Sequence, residues 1–378
     1  MGGTWTGQEG GFLGREKMVH FLPSLLLVLT RAVLRLSRLC SWLLVYAGSF
    51  LALCFYSPTF LRVVAQGPGK AFRWRVRERP PDCLTDASFG QHCYVRTKNS
   101  GMRFHYVSAG EKGRPLMLML HGFPEIWFSW RHQLVAFRDG YHVVAPDLRG
   151  YGGSDAPSGW ESYKLETLLE DIHDLIEMLG YRQCVLVGHD WGGTLAWTFS
   201  VQHPEMVERL IVMNGPHLAG LQDYILSHPS QLLRSGYVFL FQLPLLPELL
   251  LSLADFKMLR DAMTSEEVGI QNPQHRLTDE ELEAFLYSFS QPKAITGPLN
   301  YYRNLFSFLP VKCQDVLMPT LLIWGGKDVF LELGMAQLMR QYVQSRFRLE
   351  ILPEASHWVQ QDRPERVNQL MKAFLSEE

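Results

Sequence analysis

The sequence has no strong charge of either sign, no internal repeat and no low-complexity tract in its folded part. Its 36 Lys and Arg nearly balance 38 Asp and Glu, which gives a formal net charge of −2. A domain that binds nucleic acid usually has a clear basic excess, so this class of partner is excluded. Hydrophobic residues make up 47% and charged residues 20%, a balance that excludes bulk disorder and indicates a packed globular protein.

Cysteine is also scarce, with six in 378 residues and no Cys-x-x-Cys pair. This spacing disfavours the usual structural zinc sites. Cys83 and Cys93 are close enough in sequence to pair in an oxidising compartment. We favour free thiols at both positions, because a chain of this length can bury a core without disulfides.

Charge is missing altogether from residues 39–61, about 23 residues that are enough to cross a bilayer. The apolar part of a cleaved signal peptide is usually only about 7–15 residues long, so we favour a retained anchor. A larger basic group follows the segment than precedes it, which predicts a cytosolic main domain in a single-pass protein of the endoplasmic reticulum. Arg31, Arg35 and Arg38 precede the segment and leave the opposite orientation open.

The rest of the chain alternates between strand and helix patterns. Residues 93–96 and 102–107 alternate as exposed antiparallel strands do. Five continuous apolar runs predict strands covered on both faces, at 116–120, 141–145, 184–187, 210–213 and 320–324. Helical patterns between the runs, as at 163–179 and 194–202, predict an α/β fold with an open, mostly parallel sheet.

The strand signal disappears between about 217 and 310, where the apolar residues take a helical spacing. This change predicts a helical cap inserted into the α/β fold. We therefore divide the sequence into a leader (1–38), the anchor (39–61), a basic linker (62–92), the first part of the α/β core (93–216), the cap (217–310) and the second part of the core (311–378).

A tight turn with small residues on both sides connects one predicted strand to a helix. Gly188 lies two residues before Asp190, and Gly192 lies two residues after it. This is the spacing of a nucleophile elbow, in which a strained turn raises one side chain above the sheet. A carboxylate that attacks a saturated carbon forms an ester, which water can hydrolyse, whereas serine would form a stable ether. Asp190 therefore predicts displacement at carbon, as in epoxide opening or dehalogenation, and the alternative is a simple helix cap.

On folds with this elbow, an acid and then a histidine follow the nucleophile in chain order. Asp328 comes just after a predicted strand, and His357 lies in a loop before the last helix. We predict that His357 activates water and that Asp328 fixes its tautomer. Glu332 and Asp362 are rival acids, but neither lies at a strand end.

The segment HGFPE at 121–125 follows another predicted strand. The backbone N–H groups of Phe123 and Trp191 are predicted to form an oxyanion hole for the charge that develops when water attacks the ester. Pro124 is a candidate cis proline in this turn. His121 is predicted to be a structural hydrogen-bonding residue and not a second base.

Together these motifs resemble those of the α/β-hydrolase epoxide hydrolases, from about residue 83 to the end of the chain. The segments that fit are HGFPE at 121–125, DLRGYG at 147–152, GHDWGG at 188–193 and the loop of His357. With the anchor, the chain is most similar to the membrane-anchored vertebrate types three and four, and closer to four. The resemblance implies the α/β-hydrolase fold, with helices on both faces of the sheet and a helical cap.

The resemblance also implies two cap tyrosines that hold the epoxide oxygen and protonate it as the ring opens. GPLNYYRN at 297–304 places Tyr302 at one position, and the less distinctive SGYVFLFQ at 235–242 places Tyr237 at the other. The chemistry needs such a donor, because an epoxide oxygen leaves as an alkoxide. Gly326 departs from the family, which often has an acidic residue there, but this affects only a turn.

The protein expected from these features is a membrane-anchored hydrolase that converts lipophilic epoxides into diols through an ester on Asp190. It needs no metal or organic cofactor, and its partners are a small lipophilic epoxide and membrane lipid. Two alternatives are a haloalkane dehalogenase with the same three residues and an inactive membrane-anchored scaffold. A halide leaves without a proton, so Tyr302 disfavours the first, and the complete set of reacting groups disfavours the second.

Overall fold

A computed structural model describes residues 2, 12–307 and 314–377, with only the backbone described over 12–29. The predicted boundary between cap and core at 310/311, Cys313 and part of the leader lie outside these residues. The described strands are β1 Gln91–Arg96, β2 Arg103–Ala109, β3 Leu116–Leu120, β4 His142–Pro146, β5 Cys184–His189, β6 Val207–Met213, β7 Thr320–Gly325 and β8 Phe347–Leu352. The described α-helices are α1 Phe12–Ala65, α2 Pro68–Ala71, α3 Arg131–Phe137, α4 Leu165–Met178, α5 Trp191–Gln202, α6 Leu218–Ser227, α7 Pro229–Arg234, α8 Gly236–Leu240, α9 Leu246–Thr264, α10 Asp279–Ser290, α11 Thr296–Asn304, α12 Gly334–Leu338, α13 Val359–Asp362 and α14 Pro364–Leu375.

The strands form one sheet in the order β1-β2-β4-β3-β5-β6-β7-β8. The pairs β1–β2 and β2–β4 are antiparallel, and the remaining pairs are parallel, which confirms the mostly parallel sheet. The predicted exposure is wrong for β2, which is buried at every position after Arg103. The reason is that Phe104 packs with Leu175 of α4, while Val107 joins the core on the opposite side.

The apolar runs of the central strands supply two hydrophobic cores, one on each face of the sheet. Along β3, Leu118 and Leu120 belong to one core, while Met117 and Met119 belong to the other. Successive side chains of a strand point to opposite faces, so a strand that is covered on both sides needs a continuous apolar run. Helices therefore pack on both faces, as the fold class predicted.

The chain between β6 and β7 forms a cap of helices α6 to α11 within the described part of 217–307, which contains no strand. Helix α10 starts at a capping box, in which Thr278 and Glu281 each bond the other's backbone N–H. Helix α9 contains a kink, because residues 253–256 leave the helical conformation. Helices α8 and α11 carry the two tyrosines singled out in the sequence.

Helix α1 has 54 residues and extends beyond the predicted anchor 39–61 at both ends. Its segment Thr30–Ala65 is long and apolar enough to cross a membrane. One side of the segment packs on the folded domain, where Ser49 and Ala52 are buried. Phe55, about one helical turn after Ala52, is 77% exposed.

The basic segment that follows α1 is anchored to the cap. The Arg77 guanidinium is buried and pairs with the carboxylates of Asp255 and Glu283. Cys83 and Cys93 are free thiols, as favoured above. The segment 62–92, which we predicted as a linker, thus includes residues that are packed against α9 and α10.

Candidate active site

The predicted site residues come together at one edge of the sheet. Parallel strands have their carboxyl ends on the same edge, and loops beyond these ends are the usual place for a binding site in α/β folds. Five loops meet there, since Phe123 follows β3, Asp190 follows β5, Asn214 follows β6, Asp328 follows β7 and His357 follows β8. Helices α8 and α11 of the cap cover this edge.

Asp190 occupies the turn between β5 and α5. Its φ of 52° and ψ of −119° are strained for a residue other than glycine. Gly188 and Gly192 permit the turn, because a Cβ on Gly188 would overlap the backbone of Gly192 and one on Gly192 would overlap that of Leu120. The turn therefore has the geometry of a nucleophile elbow. The Asp190 side chain keeps 17% of its surface exposed, so a substrate can reach it.

Two groups hold the Asp190 carboxylate. The Phe123 N–H donates to Oδ1 over 2.8 Å, and His357 Nε2 lies 3.6 Å from Oδ2. Burial alone would raise the pKa of Asp190, but the nearby charge of His357 and the hydrogen bond from Phe123 hold this pKa below its usual value. Asp190 is therefore ionised at neutral pH, as a carboxylate nucleophile must be.

Asp328 lies on the other side of the imidazole. Its Oδ2 accepts hydrogen bonds from His357 Nδ1 over 2.7 Å and from Asn214 Nδ2 over 2.6 Å. Its Oδ1 accepts from the backbone N–H groups of Phe330 and Leu331 over 2.8 and 2.9 Å. Burial would raise the pKa of Asp328, but the charge of His357 and these donors hold it below its usual value.

The imidazole of His357 thus lies between two carboxylates. Burial would lower its pKa, but Asp328 and Asp190 together raise the pKa of His357 to about 10. The resting form at neutral pH is therefore an imidazolium that is paired on both ring nitrogens. A change in the charge of either carboxylate changes the basicity of this group directly.

The rival acids have partners of their own. Glu332 pairs with Arg234 at 3.3 Å, while Asp362 is fully buried and accepts the Ser356 N–H over 2.7 Å. Of the three candidate carboxylates, Asp328 is the one whose oxygen is within hydrogen-bonding distance of the imidazole.

Asn214 is a site residue that the sequence reasoning missed. It follows β6 with a φ of 38°, donates to Asp328, and accepts the N–H of Gly325 on its Oδ1 over 3.0 Å. It therefore ties the ends of β6 and β7 together and orients the acid. The available signal was its position directly after a buried strand, at the same edge as Asp190.

His189 and Glu125 form a buried pair, also missed by the sequence reasoning, which supports the backbone of the loop that carries His357. His189 Nδ1 lies 2.7 Å from Glu125 Oε2, and its Nε2 lies 2.9 Å from the carbonyl oxygen of His357. Glu125 also accepts the Gly122 N–H over 3.2 Å, in the loop that carries Phe123. The pair thus connects three loops of the site. The signal was the presence of charged or polar residues directly beside the predicted ones.

The turn at 121–125 agrees with two predictions. The peptide bond between Phe123 and Pro124 is cis, which confirms the candidate cis proline. His121 Nε2 accepts the Leu148 N–H over 3.0 Å inside the core, so this histidine is a structural residue as predicted.

Tyr237 of α8 and Tyr302 of α11 line the same cavity as Asp190. Their ring centroids are 5.9 Å apart, and the Trp191 indole packs edge-on against Tyr302 at 5.1 Å. Burial raises the pKa of both phenols well above the usual value, and the charge of Asp190 raises it further. Both hydroxyls therefore keep their protons at neutral pH and are available as donors.

Two cavities meet at Asp190 and the tyrosines. The larger has a volume of about 470 Å³ and reaches from His357 to helices α9 and α1. The smaller has a volume of about 100 Å³ and is lined mainly by apolar residues of α6, α7 and α8. Apolar walls around a few convergent polar groups are typical of sites for lipophilic small molecules.

Comparison with known proteins assigns the family. Residues 115–364 match the family described as the α/β hydrolase fold. The chain is 59% identical to epoxide hydrolase 3 of Xenopus tropicalis, over 96% of this chain and 98% of that protein. The chain belongs to the epoxide hydrolases of the α/β-hydrolase fold. It is also 53% identical to epoxide hydrolase 4 of Homo sapiens, over 93% of this chain and 97% of that protein.

Solved structures agree with this assignment. A Bacillus megaterium epoxide hydrolase with a bound diol product has a TM-score of 0.69 and 34% identity, over 75% of this chain and 100% of that chain. A Vigna radiata epoxide hydrolase has a TM-score of 0.63 and 28% identity, over 77% and 99%. The chain is therefore similar to both type three and type four, as the sequence predicted.

Proposed function

We propose that this protein hydrolyses lipophilic epoxides to vicinal diols in two steps, through an alkyl ester on Asp190. The observation that carries the proposal is one largely apolar cavity that is lined by Asp190, His357 and two tyrosines, Tyr237 and Tyr302. The family supports the same activity, since the two relatives compared above, at 59% and 53% identity, are epoxide hydrolases.

In the first step, Asp190 attacks a carbon of the epoxide ring. The Phe123 N–H holds Oδ1, which leaves Oδ2 to form the new bond as the ring C–O bond breaks. The released electron pair goes to the epoxide oxygen, which takes a proton from Tyr302 or Tyr237. Because the pKa of both phenols is raised, they release a proton only when a strongly basic alkoxide develops.

Formation of the ester also changes His357. The negative charge of Asp190 disappears, and this charge is one of the two that raise the pKa of the imidazolium. The pKa of His357 therefore falls, and its proton replaces the one that the tyrosine gave up. The neutral imidazole is then the base for the second step, with Asp328 holding its Nδ1 proton.

In the second step, His357 takes a proton from water as the water oxygen attacks Cγ of the ester. Oδ1 takes the negative charge next to the Phe123 N–H that already donates to it. The Trp191 N–H is the second donor that we propose for this oxyanion. Collapse of this intermediate breaks the Cγ–Oδ2 bond, and the imidazolium protonates the departing alkoxide oxygen to give the diol. Asp190 is left as a carboxylic acid, and its proton passes to the neutral His357, which restores the carboxylate and the imidazolium of the resting state. The diol carries Oδ2, while the oxygen from water stays in the carboxylate of Asp190.

The two tyrosines also separate this function from dehalogenation. A departing halide is already a stable anion and gains nothing from a proton donor, whereas an alkoxide requires one. Tyr237 and Tyr302 meet this requirement, because both line the cavity that contains Asp190. We further propose that Thr30–Ala65 anchors the protein in the membrane of the endoplasmic reticulum with the main domain in the cytosol, because basic residues follow the apolar segment.

A single-turnover reaction in ¹⁸O-labelled water tests the mechanism, with styrene oxide as the substrate and enzyme in excess. The first diol formed should contain unlabelled oxygen from Asp190, and the label should be found in the Asp190 peptide. His357→Gln should accumulate a protein adduct with the mass of enzyme plus epoxide. Label in the first diol, or diol formation by Asp190→Ala, would refute the ester mechanism, and turnover of a haloalkane in place of every epoxide tested would favour the dehalogenase.

A further inference from the structure

The larger cavity has a wall that does not belong to the hydrolase domain. Tyr56 and Thr59 of helix α1 line it together with Asp190 and His357. A helix that served only to hold the protein at a membrane would have no reason to contribute side chains to the substrate cavity. The contacts of α1 therefore require a separate explanation.

Helix α1 is docked closely on the cap helix that carries Tyr237. Ser49 Oγ donates to the carbonyl oxygen of Phe239 in α8 over 2.7 Å. A Cβ at Gly48 would lie 2.7 Å from the Phe239 ring, so only glycine permits this close approach. Small residues at such positions bring helix backbones together and are typical of helix contacts at membranes. The position of α1 relative to the cavity is thus fixed by packing.

The rim of the cavity lies between α1 and α9. Thr59 is exposed, Met258 of α9 is 40% exposed, and both line the cavity. Thr59 follows Phe55 by one helical turn, so it continues the side of α1 on which Phe55 is 77% exposed. Ser49, which donates to the cap, lies ten residues or about 15 Å before Thr59 along the helix, so the contact with α8 and the rim both lie within the uncharged segment 39–61.

The surface of the cap is unusually apolar. Outside α1, the most exposed large hydrophobic side chains of the described residues are Leu226, Leu233 and Leu245, at 77%, 83% and 80%, and all three lie in the cap. Phe72 and Trp74 follow α1 and are each 46% exposed. Exposed apolar groups of this kind mark surfaces that contact a membrane or a protein, and aromatic residues are enriched at membrane interfaces.

We propose that the part of the cap around α8 is immersed in the membrane beside α1, and that an epoxide with a long acyl chain enters the active site directly from the lipid bilayer, between α1 and α9. This rests on the proposed epoxide hydrolysis. The substrate class is a single-chain lipid epoxide dissolved in the leaflet next to the main domain. Its apolar chain passes from lipid to an apolar cavity without crossing water, which removes the largest barrier to binding such a molecule. Thr59 at the rim and Tyr56 inside it then select the chains that pass.

The test uses the full-length protein in phosphatidylcholine vesicles. Thr59→Trp narrows the rim, and Phe55→Trp places the same indole one turn away, outside the cavity. The substrates are the methyl ester of epoxidised oleic acid, which resides in the bilayer, and styrene oxide, which is small. Thr59→Trp is expected to lower kcat/KM about tenfold more for the ester than for styrene oxide, and Phe55→Trp is expected to affect the two equally. Equal effects of Thr59→Trp on both substrates would overturn the proposal.

A second measurement needs no catalysis. The tryptophan fluorescence of each variant is measured, and that of the native protein is subtracted to give the emission of the added indole. This emission is compared under two quenchers, brominated phosphatidylcholine in the vesicle and iodide in the water. The indole in Thr59→Trp should be quenched by the brominated lipid, as in Phe55→Trp, whereas the indole in Tyr94→Trp, on exposed β1, should respond to iodide. An indole at 59 that responds only to iodide would overturn the proposal. If lipid quenches it but no epoxide is hydrolysed, the proposed function fails and the membrane-facing rim stands.

Discussion

The exchange of Asp328 for Asn tests how the acid controls His357. Oδ2 of Asp328 accepts hydrogen bonds from His357 Nδ1 and from Asn214 Nδ2, while Oδ1 accepts hydrogen bonds from two backbone N–H groups. An Asn in this place keeps its oxygen on the two backbone donors and turns its NH₂ group toward the imidazole. His357 must then accept on Nδ1, so its proton moves to Nε2, the nitrogen that has to take a proton from water.

The wrong tautomer prevents the second step more than the first. The corresponding exchange in serine proteases lowers the rate by about 10,000-fold, or about 5.5 kcal/mol of activation free energy, and we expect the same size of effect on hydrolysis of the ester. Formation of the ester should fall by less than about tenfold, because Phe123 still holds Asp190. The variant should therefore accumulate the ester on Asp190.

Rapid-quench kinetics with intact-protein mass spectrometry measures both steps, since the ester adds the mass of the epoxide. Glu332→Gln is the matched control, because Glu332 lies nearby but pairs with Arg234, and both of its rates should stay within about twofold of the native values. The reasoning is refuted if Asp328→Asn slows ester hydrolysis less than tenfold, if no ester accumulates, or if the control shows the same loss.

Three further predictions concern the tyrosines, the elbow and the charge of His357. Tyr302→Phe and Tyr237→Phe should each slow ester formation, and the double variant should slow it by about 10²–10⁴-fold in stopped-flow traces. Hydrolysis of the ester should slow less. An equal loss in both steps would contradict the role of the tyrosines as proton donors. Gly192→Ala should lower the free energy of unfolding by about 1–3 kcal/mol or more, because the added Cβ would overlap the Leu120 backbone. Denaturant unfolding measures this loss. Gly69 has open space around it, so Gly69→Ala should have little effect. Because the pKa of His357 is raised to about 10, its ion pairs stabilise the folded state fully below its ordinary pKa of about 6.5 and are lost as the pH rises toward 10. The thermal midpoint should therefore fall over this range more steeply than in His357→Gln, and parallel curves would contradict the shift.

Local patterns were enough to find the main elements and the reacting groups. The apolar run 184–187 corresponds to β5 Cys184–His189, and the helical pattern 194–202 corresponds to α5 Trp191–Gln202. The elbow was visible because a strained turn needs small residues two positions to either side of Asp190. Each of these features depends on residues within a few positions of one another, so it is written in a short stretch of sequence.

The tertiary structure decided which of these groups meet. Asn214 is 114 positions from Asp328, and His189 is 168 positions from His357, so no local pattern relates them. They come together because the sheet places β5, β6, β7 and β8 side by side and brings the loops beyond their carboxyl ends to one edge. The same holds for α1, whose sequence indicates a membrane anchor. The structure shows that α1 packs on Phe239 and that Tyr56 and Thr59 line the same cavity as Asp190. The composition of a helix specifies what it can bury but not which surface it meets.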